Sequence, residues 1–275
     1  MSDSAYPRML DLATRLAEDA ARVSVPQMGR TPVTRKHDAS VVTAVDRAIQ
    51  HQIFLAVREA YPDHALLGEE ELAAHESVPA EPGARFCWVI DPLDGTRNFA
   101  AGLPVFATSI AVLDNGWPCV AVIVEHNLGH TYAAVSGRGA TLNARQIRLT
   151  DPDSDEDYVV GVPSSKDGLT VGIVQAWAET KELICRNLGS TAMHLALVSS
   201  GAMAAAFARR SKVWDIAAGW LLVREAGGRI TDLRGNELAP FRLDADPEVD
   251  IPFLAGAPEM HRRLLRSLPA TRARE

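Results

Sequence analysis

The sequence predicts a mixed α+β and α/β protein in two parts, on three observations. Two helical stripes near the N-terminus precede a run of neighbouring apolar strands. After residue 157, strand and helix patterns alternate. Between these regions lies a carboxylate-rich stretch, Asp151-Pro152-Asp153-Ser154-Asp155-Glu156-Asp157, which reads as a solvated linker. The expected organisation is an N-terminal part, 1–150, with a largely antiparallel sheet, and a C-terminal α/β part, 151–275.

Met9, Ala13, Leu16, Ala20 and Val23 recur at three- and four-residue spacing, one face of an amphipathic helix. A second helix is expected over 44–60, with Val45, Ile49, Ile53, Ala56 and Ala60 inward and Tyr61-Pro62-Asp63 ending it. Residues 30–42 read as a basic, polar connection. The acidic cluster Gly68-Glu69-Glu70-Glu71 and a Pro- and Ala-rich loop lead to a buried strand, Phe86 to Ile90, that ends at Asp91-Pro92. Strands follow at 108–113, 120–124 and 131–135, with Asn115-Gly116 as a hairpin turn. The second part reads as strand 158–162, helix 171–180, a strand near Ile184, helix 191–199, strand 203–208, helix 215–226 and strand 229–232. Gly227-Gly228 caps the last helix.

Composition narrows the function classes. The chain has 275 residues, 47% apolar and 23% charged, enough to bury a sizeable core. A net charge of −7 argues against a nucleic-acid grip. A small phosphorylated substrate remains compatible, because bound cations supply positive charge locally. Three scattered cysteines, Cys87, Cys119 and Cys185, give neither a disulfide framework nor a zinc spacing. No continuous apolar stretch reads as a signal peptide or membrane span, and a cytoplasmic location is expected.

The strongest chemical signal is Asp91-Pro92-Leu93-Asp94-Gly95-Thr96-Arg97-Asn98-Phe99. A buried strand delivers two carboxylates three residues apart with the Leu93 carbonyl between them, the oxygen ligands that Mg²⁺ takes. Gly95 lets the backbone approach a ligand, and a helix starting at Thr96 directs free N–H groups at an anion. Three further segments contribute: Asp215 opening an apolar helix after Trp214, Glu69 after Gly68, and Asp46 in the first turn of a helix capped near Thr43.

Together these segments resemble the inositol monophosphatase family, whose pattern includes Val-Thr-x-x-Asp, Gly-Glu-Glu, Asp-Pro-(Ile/Leu)-Asp-Gly-Thr and Trp-Asp-x-Ala. All four occur here in order, as does Glu225-Ala226-Gly227-Gly228. The resemblance implies a layered αβαβα sandwich, a homodimer, lithium sensitivity, and two or three Mg²⁺ ions held by Glu69, Asp91, the Leu93 carbonyl, Asp94 and Asp215. It also implies that Gly95 and Thr96 hold the phosphate through backbone N–H groups. Thr96, with Glu69 or Asp46, then orients and deprotonates the attacking water.

Many inositol-cleaving members carry an acid seven residues before the Trp-Asp aspartate; here that residue is Ala208. Arg209, Arg210 and Lys212 make the segment basic, which favours a substrate with a second anionic group. Asp94, Lys212 and Arg186 are candidates for substrate contact, Arg186 alternatively as a brace. His194 is expected to be a packed helix residue. The leading expectation is hydrolysis of inositol 1-phosphate or a similar polyol phosphate. The alternatives are histidinol phosphate, adenosine 3′,5′-bisphosphate, or a non-catalytic phosphate-binding relative.

Overall fold

The computed structural model describes residues 5–35, 41–70, 84–151, 157–242 and 249–269. Helix α1 (Tyr6–Ser24) starts with a proline in its first turn, where no N–H is needed. It buries Met9, Leu12, Ala13, Ala17 and Ala20; Leu16 and Val23 sit only half-buried at the edge of the stripe. The polar connection after it contains a short antiparallel pair, β1 (Val33–Arg35) and β2 (Val41–Thr43).

Thr43 then caps α2 (Ala44–Ala60). Its hydroxyl accepts from Val45 N, and its backbone N–H donates to Asp46 Oδ2 at 2.9 Å. This reciprocal box satisfies N–H groups that a helix start leaves open. The inner stripe of α2 departs from expectation toward its end. Phe54 and Val57 are buried there, whereas Ala56 is half-buried and Ala60 exposed.

Strand β3 (Ala65–Gly68) pairs with β4 (Phe86–Asp94), and α3 (Thr96–Ala101) follows immediately. Strands β5 (Ala107–Asp114), β6 (Trp117–Glu125), β7 (His130–Val135), β8 (Ala140–Leu142) and β9 (Arg145–Ile147) complete a sheet of order β3-β4-β5-β6-β7-β8-β9. The pairing is antiparallel except for β3–β4, which is parallel. A parallel pair needs a long connection, and the chain between Gly68 and Phe86 is long enough to make one. Asn115 and Gly116 both take positive φ, 49° and 83°, as the expected two-residue hairpin requires.

The second part runs β10 (Tyr158–Gly161), α4 (Gly168–Ala178), β11 (Leu183–Arg186), α5 (Thr191–Ser199), β12 (Ala205–Ala208), α6 (Val213–Glu225), β13 (Arg229–Thr231), β14 (Phe253–Gly256) and α7 (Pro258–Ser267). The sheet order is β11-β10-β12-β14-β13. Strands β10, β11 and β12 pair in parallel, whereas β14 runs antiparallel to both β12 and β13. The end of α6 is a Schellman cap: Gly228 N–H donates to Val223 O and Gly227 N–H to Arg224 O.

Helices α1 and α2 pack on the outer face of the first sheet, and α4 and α7 against strands of the second. Between the sheets lie α5 and α6, each touching strands of both. These two helices are apolar almost all round, as a central layer demands. The result is the five-layer αβαβα sandwich. One continuous core joins the second sheet, α5, α6 and the facing side of the first sheet. Each large aliphatic side chain buried there contributes about 1.5–3 kcal/mol. Residues 152–156 of the acidic linker lie outside the described residues. So do residues 36–40 of the polar connection, the Pro- and Ala-rich loop up to residue 83, and residues 270–275.

Candidate active site

Strand β4 carries the site. Its ladder with β5 breaks between Asp91 and Asp94, so the chain bulges out of the sheet at Pro92-Leu93. Three hydrogen bonds fix the bulge. Asp91 Oδ1 accepts from Leu93 N–H at 2.9 Å, Pro92 O accepts from the Thr108 hydroxyl at 2.7 Å, and Leu93 O lies 3.0 Å from the Thr96 hydroxyl. The turn closes at Gly95 with φ 98°, and a Cβ there would sit 2.9 Å from Val105 O. Only glycine meets both conditions. Helix α3 then begins at Thr96, as expected.

Three other elements bring the remaining acids to this turn. The first turn of α2 supplies Asp46, fully buried, whose Oδ1 accepts from Thr96 Oγ1 at 3.0 Å. The end of β3 supplies Glu69, whose N–H bonds Ile90 O on β4 at 3.2 Å. The first turn of α6 supplies Asp215, one oxygen of which accepts from Lys212 N–H at 2.7 Å. The start of α5 grips Asp94 by one oxygen: Ser190 Oγ donates at 2.8 Å, and Ala192 N–H donates to the same atom.

The electrostatics follow from crowding. Burial raises Asp91 well above the usual carboxylate range, and the charges of Glu69, Asp94 and Asp215 raise it further. Asp215 is raised well above that range by burial and by Asp94 and Glu69. Burial outweighs the α5 hydrogen bonds at Asp94 and lifts it to about 6. Asp46 is raised by burial against its threonine bonds. Among the described residues, no three acidic, histidine or cysteine side chains stand ready gathered as a metal cage. The donor set nevertheless suits a hard cation: mutually repelling carboxylates on four chain segments and a carbonyl, with no soft ligand among them.

A cleft of about 580 Å³ opens over these groups, lined by Glu69, Asp91, Leu93, Asp94, Gly95, Thr96 and Asp215 on one side. Its other wall includes Ser164, Asn187, His194, Ala208 and Arg210. Arg186 and Lys212 are not among the lining residues. The Arg186 guanidinium turns back to Cys185 O, and Lys212 Nζ pairs with Asp250 at 3.2 Å. His194 is packed as expected: Nε2 accepts from Leu188 N–H at 3.1 Å, and burial lowers it to about 4. Arg209 turns away to Asp167, the cap of α4, while Arg210 reaches the cleft with Nε 3.0 Å from Asp250.

Sequence reasoning assigned no structural role to three contributors. Ser190 has a visible signal, a serine just before a helix. Asn98 spans two loops, its amide donating at 2.7 Å to both Val105 O and Leu188 O. The third is the Ser164–Asn187 pair, 2.8 Å apart. Polar residues that bridge loops carry no periodic signal.

Five alternating layers with an acid-walled cleft beside the bulge in β4 define a phosphatase-type fold. The chain belongs to the inositol monophosphatase family, whose model matches residues 8–270. It is 36% identical over 237 residues to the protein named Nus factor SuhB of Pseudomonas aeruginosa, covering 83% of this chain and 86% of that one. It is 34% identical over 234 residues to a fructose-1,6-bisphosphatase/inositol-1-monophosphatase of Thermotoga maritima, covering 84% and 88%. The solved structure of a Thermotoga maritima IMPase superposes with a TM-score of 0.84 at 30% identity, covering 95% and 96%. Among the described residues, no helix is long and apolar enough to cross a membrane.

Proposed function

We propose that the cleft hydrolyses a small phosphomonoester in an Mg²⁺-dependent reaction, with inositol 1-phosphate or a similar polyol phosphate as substrate. The observation that carries this reading is the convergence of Asp91 and Asp94 on β4, Glu69 beyond β3 and Asp215 on α6, each raising another's affinity for positive charge. Glu69, Asp91, the Leu93 carbonyl, Asp94 and Asp215 would hold Mg²⁺. When bound, Mg²⁺ supplies Lewis acidity to the phosphoryl oxygens and makes water more acidic.

The chain's own groups do the rest. Gly95 and Thr96 present backbone N–H groups to the phosphate. The Thr96 hydroxyl commits its proton to Asp46 or the Leu93 carbonyl, so its oxygen accepts a hydrogen bond from the attacking water and aims it. Glu69 or Asp46 takes the water's proton. Water oxygen bonds to phosphorus as the ester P–O bond breaks. A second water beside Asp94 and Asp215 protonates the departing alkoxide, and the proton held by the carboxylate base restores that water, leaving alcohol and inorganic phosphate. A cytoplasmic homodimer, lithium inhibition and two or three Mg²⁺ ions belong to the same reading; nucleic acid does not.

Arg210 at the cleft wall favours an ester with a second anionic group, adenosine 3′,5′-bisphosphate, as an alternative; histidinol phosphate is the other. A second reading has the chain acting through a partner without turnover; the name Nus factor, borne by the Pseudomonas relative, favours it. Phosphate release across a panel of inositol 1-phosphate, histidinol phosphate and adenosine 3′,5′-bisphosphate separates these readings. Turnover of inositol 1-phosphate supports the first, preference for another ester selects an alternative, and silence on all favours the partner reading.

A further inference from the structure

Buried behind the bulge is a chain of side chains that the mechanism above does not use. Thr108 Oγ1 lies 2.7 Å from Pro92 O and 2.9 Å from His126 Nε2. His126 Nδ1 lies 2.7 Å from Ser24 Oγ, the last residue of α1. Thr108 and Ser24 are fully buried and His126 is 5% exposed. The His126 ring stands edge-on to Phe106, which in turn stands edge-on to Phe99 of α3.

The directions of these bonds are forced. Pro92 O is an acceptor only, and two oxygens 2.7 Å apart need a proton between them, so the single Thr108 proton goes to Pro92. Thr108 Oγ1 must then accept from His126, which places that imidazole's proton on Nε2. Burial holds the ring neutral, with its pKa near about 3. Nδ1 is therefore an acceptor, and the Ser24 hydroxyl donates to it rather than to Ala21 O at 3.3 Å.

We infer that His126 is a positioning residue for the catalytic turn: as the Nε2–H tautomer it aligns Thr108 to hold the Pro92 carbonyl, and so fixes Asp91, Leu93 and Asp94. The bulge removes the ladder partner that Pro92 O would have had, and proline itself has no N–H to offer. Ser24 locks the tautomer by occupying Nδ1. Outer groups that orient ligating residues typically matter by about 10–100-fold in metal affinity or activity.

The inference rests on the phosphatase reading only for its kinetic arm. Its test pairs a tautomer measurement with two variants. Long-range ¹H–¹⁵N NMR of the unmodified full chain should report His126 as the neutral Nε2–H form. A glutamine at 126 carries its amide nitrogen about where Nε2 lies, and an asparagine carries it about where Nδ1 lies. His126→Gln should keep kcat and calorimetric Mg²⁺ affinity within about threefold. His126→Asn and Thr108→Val should each lower them about 10–100-fold with KM little changed. An Nδ1–H signature, or equal effects of the Gln and Asn variants at equal stability, overturns the inference. If the unmodified chain hydrolyses no phosphomonoester, the phosphatase reading falls, while the tautomer and Mg²⁺ affinities still decide this one.

Discussion

The Thr96 hydroxyl lies 3.0 Å from Asp46 Oδ1 and 3.0 Å from the Leu93 carbonyl, so one proton is offered to two acceptors. Its oxygen lone pairs remain to receive a hydrogen from water. Thr96→Val keeps the shape and removes this function. We expect kcat to fall by about 10²–10⁴-fold, the range for a positioned proton acceptor or donor, with KM changing only a few-fold. Steady-state kinetics on the preferred ester measure this, and a loss below tenfold removes Thr96 from the mechanism.

Metal-free protein should lose stability as pH rises. Asp94 has a folded pKa of about 6, above its unfolded value of about 3.9, and Asp91 and Asp215 are also raised. Across that window the folded state binds more protons than the unfolded one, so the slope of stability with pH is negative. In EDTA, Tm should fall between about pH 4 and pH 7. Saturating Mg²⁺ should raise Tm and flatten the slope, because the cation replaces the protons. Differential scanning calorimetry across pH, with and without Mg²⁺, checks both signs.

Gly95→Ala should be disproportionately damaging for one methyl group. The residue has φ 98°, and its Cβ would come within 2.9 Å of Val105 O. The strain costs about 1–3 kcal/mol, or pushes the turn out of place. Urea denaturation reads the first outcome. Loss of kcat in a variant of near-normal stability reads the second.

Asn98→Leu removes two donors at once from the Val105 and Leu188 carbonyls. Each carbonyl left unsatisfied costs about 1–3 kcal/mol. Leu188 leads into Ser190, which holds Asp94, so activity should fall with stability. Denaturant midpoints and Mg²⁺ titration of the same variant should move together.

Much of this arrangement is legible in the sequence, and the reasons differ by residue. The boundaries of α2 are written in Thr43, Asp46 and Tyr61-Pro62, because caps and breakers act locally. The turn after β4 is legible because a strand ending in Asp91-Pro92-Leu93-Asp94-Gly95 leaves few backbone options. Strand β14 is not legible: four residues of strand pattern cannot be told from loop until β12 and β13 provide partners. The parallel β3–β4 pair was hidden for the same reason, since pairing direction depends on where distant chain returns. Arg186 and Lys212 illustrate the limit for binding residues. Their charge suggested substrate contact, but the fold directs one at a backbone carbonyl and the other at Asp250.

The most direct measurement is phosphate release from the preferred ester in a metal-stripped sample, with and without added Mg²⁺, alongside Asp94→Asn. The account predicts Mg²⁺-dependent turnover that the variant loses by several orders of magnitude while keeping its fold. Turnover unchanged by Mg²⁺ removal, or retained in Asp94→Asn, would contradict it.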